Sequence, residues 1–211
     1  MAKISPRKRF SYYALALLVA LPLLAGHHAA AATATGSSGL IHTPSADTLE
    51  TGDVELGVRY TGNKLSASLT WGIAERIEIG VNSLEKGGTL SDLGLFVKGA
   101  VFEETADRPA VAVGFETGQS YVVVSKRFAP RVRAHAGYGS GALDGVFAGV
   151  SVALNTTSNR AGAPVTTVLA EATKHGLNAG LRMVFSPSIS LDVALIDLEK
   201  FSGAVGIRMR F

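Results

Sequence analysis

Beyond the N-terminal leader, His42, His135 and His175 are the side chains best suited to hold a metal ion or move a proton at neutral pH. They fall on three separate segments, with none of the short spacings that bring several ligands to one ion. His135 sits in a run that also holds Arg131 and Arg133, where an internal hydrogen bond explains it better than a ligand role. Gly137-Tyr138-Gly139-Ser140-Gly141 contains a serine among glycines. It lacks the G-x-S-x-G spacing of a nucleophile elbow and is followed by no helix, and it does not fit a phosphate loop, so it reads as a turn. The chain has no cysteine. That excludes disulfides, thiolate metal sites, a cysteine nucleophile and a lipoprotein anchor. No catalytic constellation and no cofactor is implied, and the expectation is a protein that is not an enzyme.

What remains for chemistry is charge recurring at every second position. Glu55, Arg59, Glu78, Lys98, Glu116, Arg131, Arg133, His135, Arg182, Asp192, Arg208 and Arg210 each stand on the polar side of a short alternating segment. If those sides face one another across a narrow interior, two readings are open. One is a pore or ligand path with anion preference. The other, which the presence of both signs favours, is a network of ion pairs and hydrogen bonds that fills the interior, since buried charges must be paired.

The elements that position these charges are strands. In Phe201–Phe211, the side chains of Phe201, Val205, Ile207, Met209 and Phe211 share one face, and Ser202, Arg208 and Arg210 share the other. Side chains alternate across a strand, so period two gives one apolar and one polar face. The same alternation recurs from Val54 to Tyr60, Leu65 to Trp71, Ile77 to Asn82, Leu93 to Val101, Val111 to Glu116, Arg131 to Tyr138, Leu177 to Phe185 and Ile189 to Leu195. Phe96 and Phe102 break the pattern of their segment. Tyr121–Phe128, Val146–Leu154 and Val165–Ala172 are apolar enough for strands, but their faces are ambiguous. With turn residues such as Gly62-Asn63, Gly87-Gly88 and Pro187-Ser188 between segments, the count is about twelve strands, with a range of roughly 10 to 14. The fold class expected is all-β, an antiparallel up-and-down barrel.

The leader decides the compartment. Lys3, Arg7, Lys8 and Arg9 precede the apolar run Ala14 to Ala25, and small residues follow from Ala29 to Ala34. This is the layout of a cleaved secretory signal, too short to span a bilayer. Several overlapping A-x-A sites place cleavage between Ala31 and Thr35, and residues 1–34 are assigned to the signal. Without those four of its 20 Lys and Arg, the chain carries one net negative charge against 17 Asp and Glu. Its apparent basicity belongs to the leader and gives no support for nucleic-acid binding.

A barrel of this strand number is too wide for Val, Leu and Ala to fill. The apolar faces are therefore expected outward, against outer-membrane lipid, with the charges in the lumen. Tyr60, Trp71, Phe102, Tyr121, Phe128, Tyr138, Phe185, Phe201 and Phe211 stand near strand ends, as interfacial girdles would. Phe211, an aromatic that closes an alternating strand, resembles the C-terminal signal read by the barrel assembly machinery. Residues 53–211 form the barrel on this reading. Residues 35–52 are a leader or a short plug, in which Leu40, Ile41 and Pro44 are placed to dock. The alternatives are a soluble, lipocalin-like periplasmic binding barrel with its apolar face inward and, more remotely, an outer-membrane hydrolase.

Scattered blocks also resemble one family. Gly39-Leu40-Ile41-His42-Thr43-Pro44-Ser45-Ala46, Ser120–Phe128, Leu143–Val150, Leu169-Ala170-Glu171 and Leu177–Arg182 are similar, in this order, to stretches of YjbH-like outer-membrane proteins. The resemblance implies a short, single-barrel member, with envelope polysaccharide as a partner and a link to exopolysaccharide production or export. Long members of the family are several times larger, and a short member is expected to do without whatever their additional regions contribute.

Overall fold

The protein is described from a computed structural model that covers residues 32–86, 89–155 and 163–211; residues 1–31 of the expected leader and the Gly87-Gly88 turn lie outside the described residues. Twelve strands run in chain order: β1 Asp53–Thr61, β2 Lys64–Ala74, β3 Ile77–Lys86, β4 Thr89–Phe102, β5 Ala110–Glu116, β6 Gln119–Ala129, β7 Val132–Gly141, β8 Gly145–Ala153, β9 Val165–Thr173, β10 Gly176–Ser186, β11 Ile189–Ile196 and β12 Lys200–Arg210. Each pairs antiparallel with its sequence neighbour, and β1 pairs with β12 from Asp53↔Arg210 to Thr61↔Ser202, so the sheet closes on itself. Closure leaves no strand edge unpaired, the condition for β-structure in lipid. At the seam Gly52 has φ +87°, its carbonyl accepts the Phe211 N–H at 3.0 Å, and a Cβ there would meet the Phe211 carbonyl oxygen at 2.8 Å. Only glycine fits where the two ends of the barrel meet.

The burial pattern is inverted relative to a protein in water. Leu93 is 77% exposed and Phe115 63%, whereas Glu78 and Lys98 are 0% exposed. Leu65, Leu69 and Trp71 on β2, Leu95 and Val97 on β4, and Leu177, Leu181 and Phe185 on β10 also point outward. An apolar surface wrapped around the whole sheet requires lipid as its solvent, so this is a transmembrane barrel and not an apolar-inward lipocalin-like one.

Three corrections to the sequence reading come from the pleat. Phe96 is inward and 4% exposed, as its place off the apolar face implies, but Phe102 is outward, because a register shift between Ala100 and Phe102 reverses the side-chain parity between them. Tyr121, counted with the girdle aromatics, is 6% exposed and points into the lumen. Phe96, Tyr121 and Phe147 face their cross-strand partners Gly80, Gly114 and Gly137. A Cβ on any of these glycines would lie within 2.2 to 2.4 Å of the ring. The inward rings therefore lie flat on bare backbone. Finally, Arg131 is not in the lumen. It occupies the exposed turn between β6 and β7 and donates to the Leu154 carbonyl at 3.2 Å.

Candidate functional site

The lumen is occupied by the chain's own residues 32–52. This segment forms tight turns on itself: Thr33 N–H donates to the Ser37 carbonyl at 2.8 Å, Ala34 to Ile41 at 2.9 Å and Leu40 to Thr43 at 2.9 Å. Gly39 and Pro44 form a bridge, and Pro44 is fully buried. These turns leave many backbone N–H and C=O groups without partners. Irregular backbone at membrane depth is tolerable only where protein groups satisfy it. The inward side chains of the barrel do so.

Glu171 on β9 is the most heavily used acceptor. It takes hydrogen bonds from the amides of Ile41 (3.1 Å), His42 (2.8 Å) and Thr43 (3.0 Å), from the Thr43 hydroxyl (2.8 Å) and from the Asn178 side chain (2.7 Å). Glu78 accepts from Ser38 N–H (2.8 Å), Ser38 Oγ (2.6 Å) and Leu49 N–H (2.8 Å). Its cross-strand partner Lys98 donates to the Ser38 carbonyl at 2.8 Å and pairs with Glu78 at 3.0 Å. Arg182 bonds its cross-strand partner Asp192 at 2.9 Å and, with the rest of its fork, the carbonyls of Gly39 and Leu40, each at 2.9 Å. Buried ion pairs repay their desolvation only when their remaining donors and acceptors are also used. Here the segment's backbone uses them, so the ionic bed and its occupant stabilise each other.

The remaining sequence-derived charges have definite places. Glu55 pairs with its cross-strand partner Arg208 at 2.8 Å. Arg59 lies 3.5 Å from Asp192, and Glu116 accepts from Ser37 Oγ at 2.8 Å. Arg133 bonds Asp47 at 2.5 and 2.6 Å. His135 Nδ1 lies 2.8 Å from Ser125 Oγ, which accepts from the Ala46 N–H at 2.9 Å. Arg210 sits at the rim, 37% exposed, with Glu50 and Asp53. The three histidines stay apart, and among the described residues no group of His, Asp and Glu has a metal-binding arrangement. Burial is the largest influence on His42 and holds it below the ordinary histidine range; Arg59 acts in the same direction and Glu171 against it.

Apolar contacts complete the fill. Leu40 and Ile41 are 2% and 1% exposed, packed with Leu169, Ala194 and Ile196 of the inner wall. Ala46 joins a second cluster with Ala112, Tyr121, Val123, Leu143 and Phe147. Beside Arg59, Glu55 and Asp192 a recess of about 20 Å³ remains, room for roughly one water. Sequence reasoning missed Glu171, Asp47 and Ser125. For Glu171 the signal was present: Asn178 lies on a legible polar face, and the Lys174-His175 turn pairs it with Glu171.

The family described as "Exopolysaccharide biosynthesis protein YbjH" matches residues 32–167. Among solved structures, the KdgM porin superimposes with a TM-score of 0.51 at 10% identity, over 75% of this chain and 99% of that one. The same porin in complex with disordered oligogalacturonate gives the same values. The outer membrane protein Omp33 of Acinetobacter baumannii reaches a TM-score of 0.49 at 11% identity, over 75% of this chain and 97% of that one. No curated protein matches.

Proposed function

We propose a function from the premise that the match establishes: this chain belongs to the YjbH family of exopolysaccharide biosynthesis proteins. It is a non-enzymatic barrel of the outer membrane, delivered there by a cleaved leader, and its resting state is closed. It serves envelope polysaccharide production or export as a membrane-embedded component whose lumen conducts only when residues 32–52 leave it. The observation that carries this reading is the engagement of lumen charges by the segment's backbone, above all the four hydrogen bonds from Ile41, His42 and Thr43 to Glu171. An open anion-preferring pore would need such arginines free to meet ions. Arg182 is instead committed to Asp192 and two carbonyls. Planar-bilayer recording of the purified protein tests the proposal. The full-length barrel should be silent, and a variant lacking Gly36 to Thr48 should show steady open-channel current. Steady conductance in the intact protein would overturn the closed resting state.

A further inference from the structure

Ala32, the first described residue, is held at both of its backbone polar groups. Its nitrogen donates to Glu55 Oε1 at 2.8 Å, its carbonyl accepts from Arg59 at 3.3 Å, and it bridges to Ser38. Glu55 is 3% exposed, and its other oxygen is taken by Arg208. Arg208 also faces Asp53, which is bound in turn by Arg210. Acid and base thus alternate from Arg210 through Asp53 and Arg208 to Glu55, and the run ends with a buried carboxylate oxygen on the Ala32 nitrogen. A cation at that nitrogen continues the alternation, and a charged donor binds a buried carboxylate far better than a neutral amide.

We infer that the export cleavage falls between Ala31 and Ala32 and that the new α-ammonium of Ala32 is the group Glu55 is built to receive. The step adds one water across the Ala31–Ala32 amide. The water oxygen stays on Ala31 as part of its new carboxylate, and the Ala32 nitrogen takes both of the water's protons and carries the positive charge. Ala29 and Ala31 supply the small residues that the cleavage requires. The competing A-x-A sites fit the structure worse. Cleavage after Ala32 or Ala34 removes the donor from Glu55 Oε1 and the acceptor from Arg59. This moves the boundary of the leader from residue 34 to residue 31. The processed N-terminus becomes a locking charge inside the lumen, made only once the leader is gone.

The inference rests on the export reading above, and one preparation separates the two. The protein is produced in a Gram-negative host and extracted from its outer membrane. Intact-mass measurement and N-terminal sequencing should give a chain that begins at Ala32. An uncleaved chain overturns the export reading and this inference together, whereas cleavage at another bond overturns this inference alone. The folded barrel is then treated with an acetylating reagent at neutral pH. The Ala32 amine should react at least tenfold more slowly than in the heat-unfolded protein, and Glu55→Gln should restore much of that rate. Equal labelling of folded and unfolded wild-type protein overturns the ion pair, even if the variant fails to assemble.

Discussion

Glu171→Ala should unseat the lumenal segment without disturbing the barrel wall. The substitution strips one acceptor from three consecutive amides and a hydroxyl, those of Ile41, His42 and Thr43, at 2.8 to 3.1 Å. Hydrogen bonds to a charged acceptor contribute about 1.5–3 kcal/mol each, and some of that returns when water replaces the carboxylate. At about 1 kcal/mol apiece, the four amount to about 4 kcal/mol, or roughly a thousandfold in the ratio of seated to unseated segment. The assay is bilayer conductance, with heat-dependent gel mobility as the check that the barrel has formed. Wild-type protein should open rarely, and the variant should open often, approaching the current of the segment deletion. Glu171→Gln should recover only part of the closure, because its NH2 turns a donor toward the same amides or toward the Asn178 side chain. Silence of Glu171→Ala alongside a conducting deletion variant would refute the assignment of Glu171 as the anchor.

Three further outcomes follow from the same geometry. A Cβ on Gly149 would stand 2.6 Å from Leu40 Cδ2, so Gly149→Leu should displace the Leu40 contact and raise protease sensitivity of residues 36–48 in the folded barrel. Unchanged protection would count against that packing. Leu181 is 40% exposed at mid-strand on the outer face, and Leu181→Arg should cost about 2–4 kcal/mol in urea titrations in lipid vesicles, against a small change for Leu181→Phe. Similar costs for both would remove lipid from that face. For His42 the folded pKa is lowered, by burial first, so the unseated segment binds its proton at higher pH than the seated one. The seat is then fully stable above about pH 6.5 and weakens as pH falls through the window below it. Opening frequency should rise on acidification in wild type and stay flat in His42→Asn.

The strands were legible because their outer faces meet a single solvent. Lipid selects Leu, Val, Ile and aromatics at every second position, and β2, β10 and β12 show it plainly. The lumen imposes no such uniform demand. Its inner face carries Glu171 beside Leu169, and Tyr121 beside Val123, because it must satisfy a folded peptide and not water. For that reason β6, β8 and β9 had ambiguous faces in the sequence, and Glu171 and Tyr121 were lost with them. Their parity follows once the two-residue turns at Thr117-Gly118 and Lys174-His175 fix Gly114↔Tyr121 and Asn178↔Glu171. Phe102 needed more, since the irregularity after Ala100 has no signature in the residues around it.

The chemistry of the bed also limits what can be read from the segment it holds. Of the groups bound by Glu171, Glu78, Lys98 and Arg182, most are backbone amides and carbonyls of Ser38 to Thr43 and Leu49. Those groups are present whatever the side chains, so the barrel fixes the path of the segment more strongly than its sequence. Side-chain identity matters where space is short: at Gly39, where a Cβ would meet Thr43 O at 2.4 Å, and at Leu40 and Ile41, which cover the inner apolar patch. A peptide held by its backbone in a charged bed can be released by groups that compete for the same carboxylates and guanidiniums.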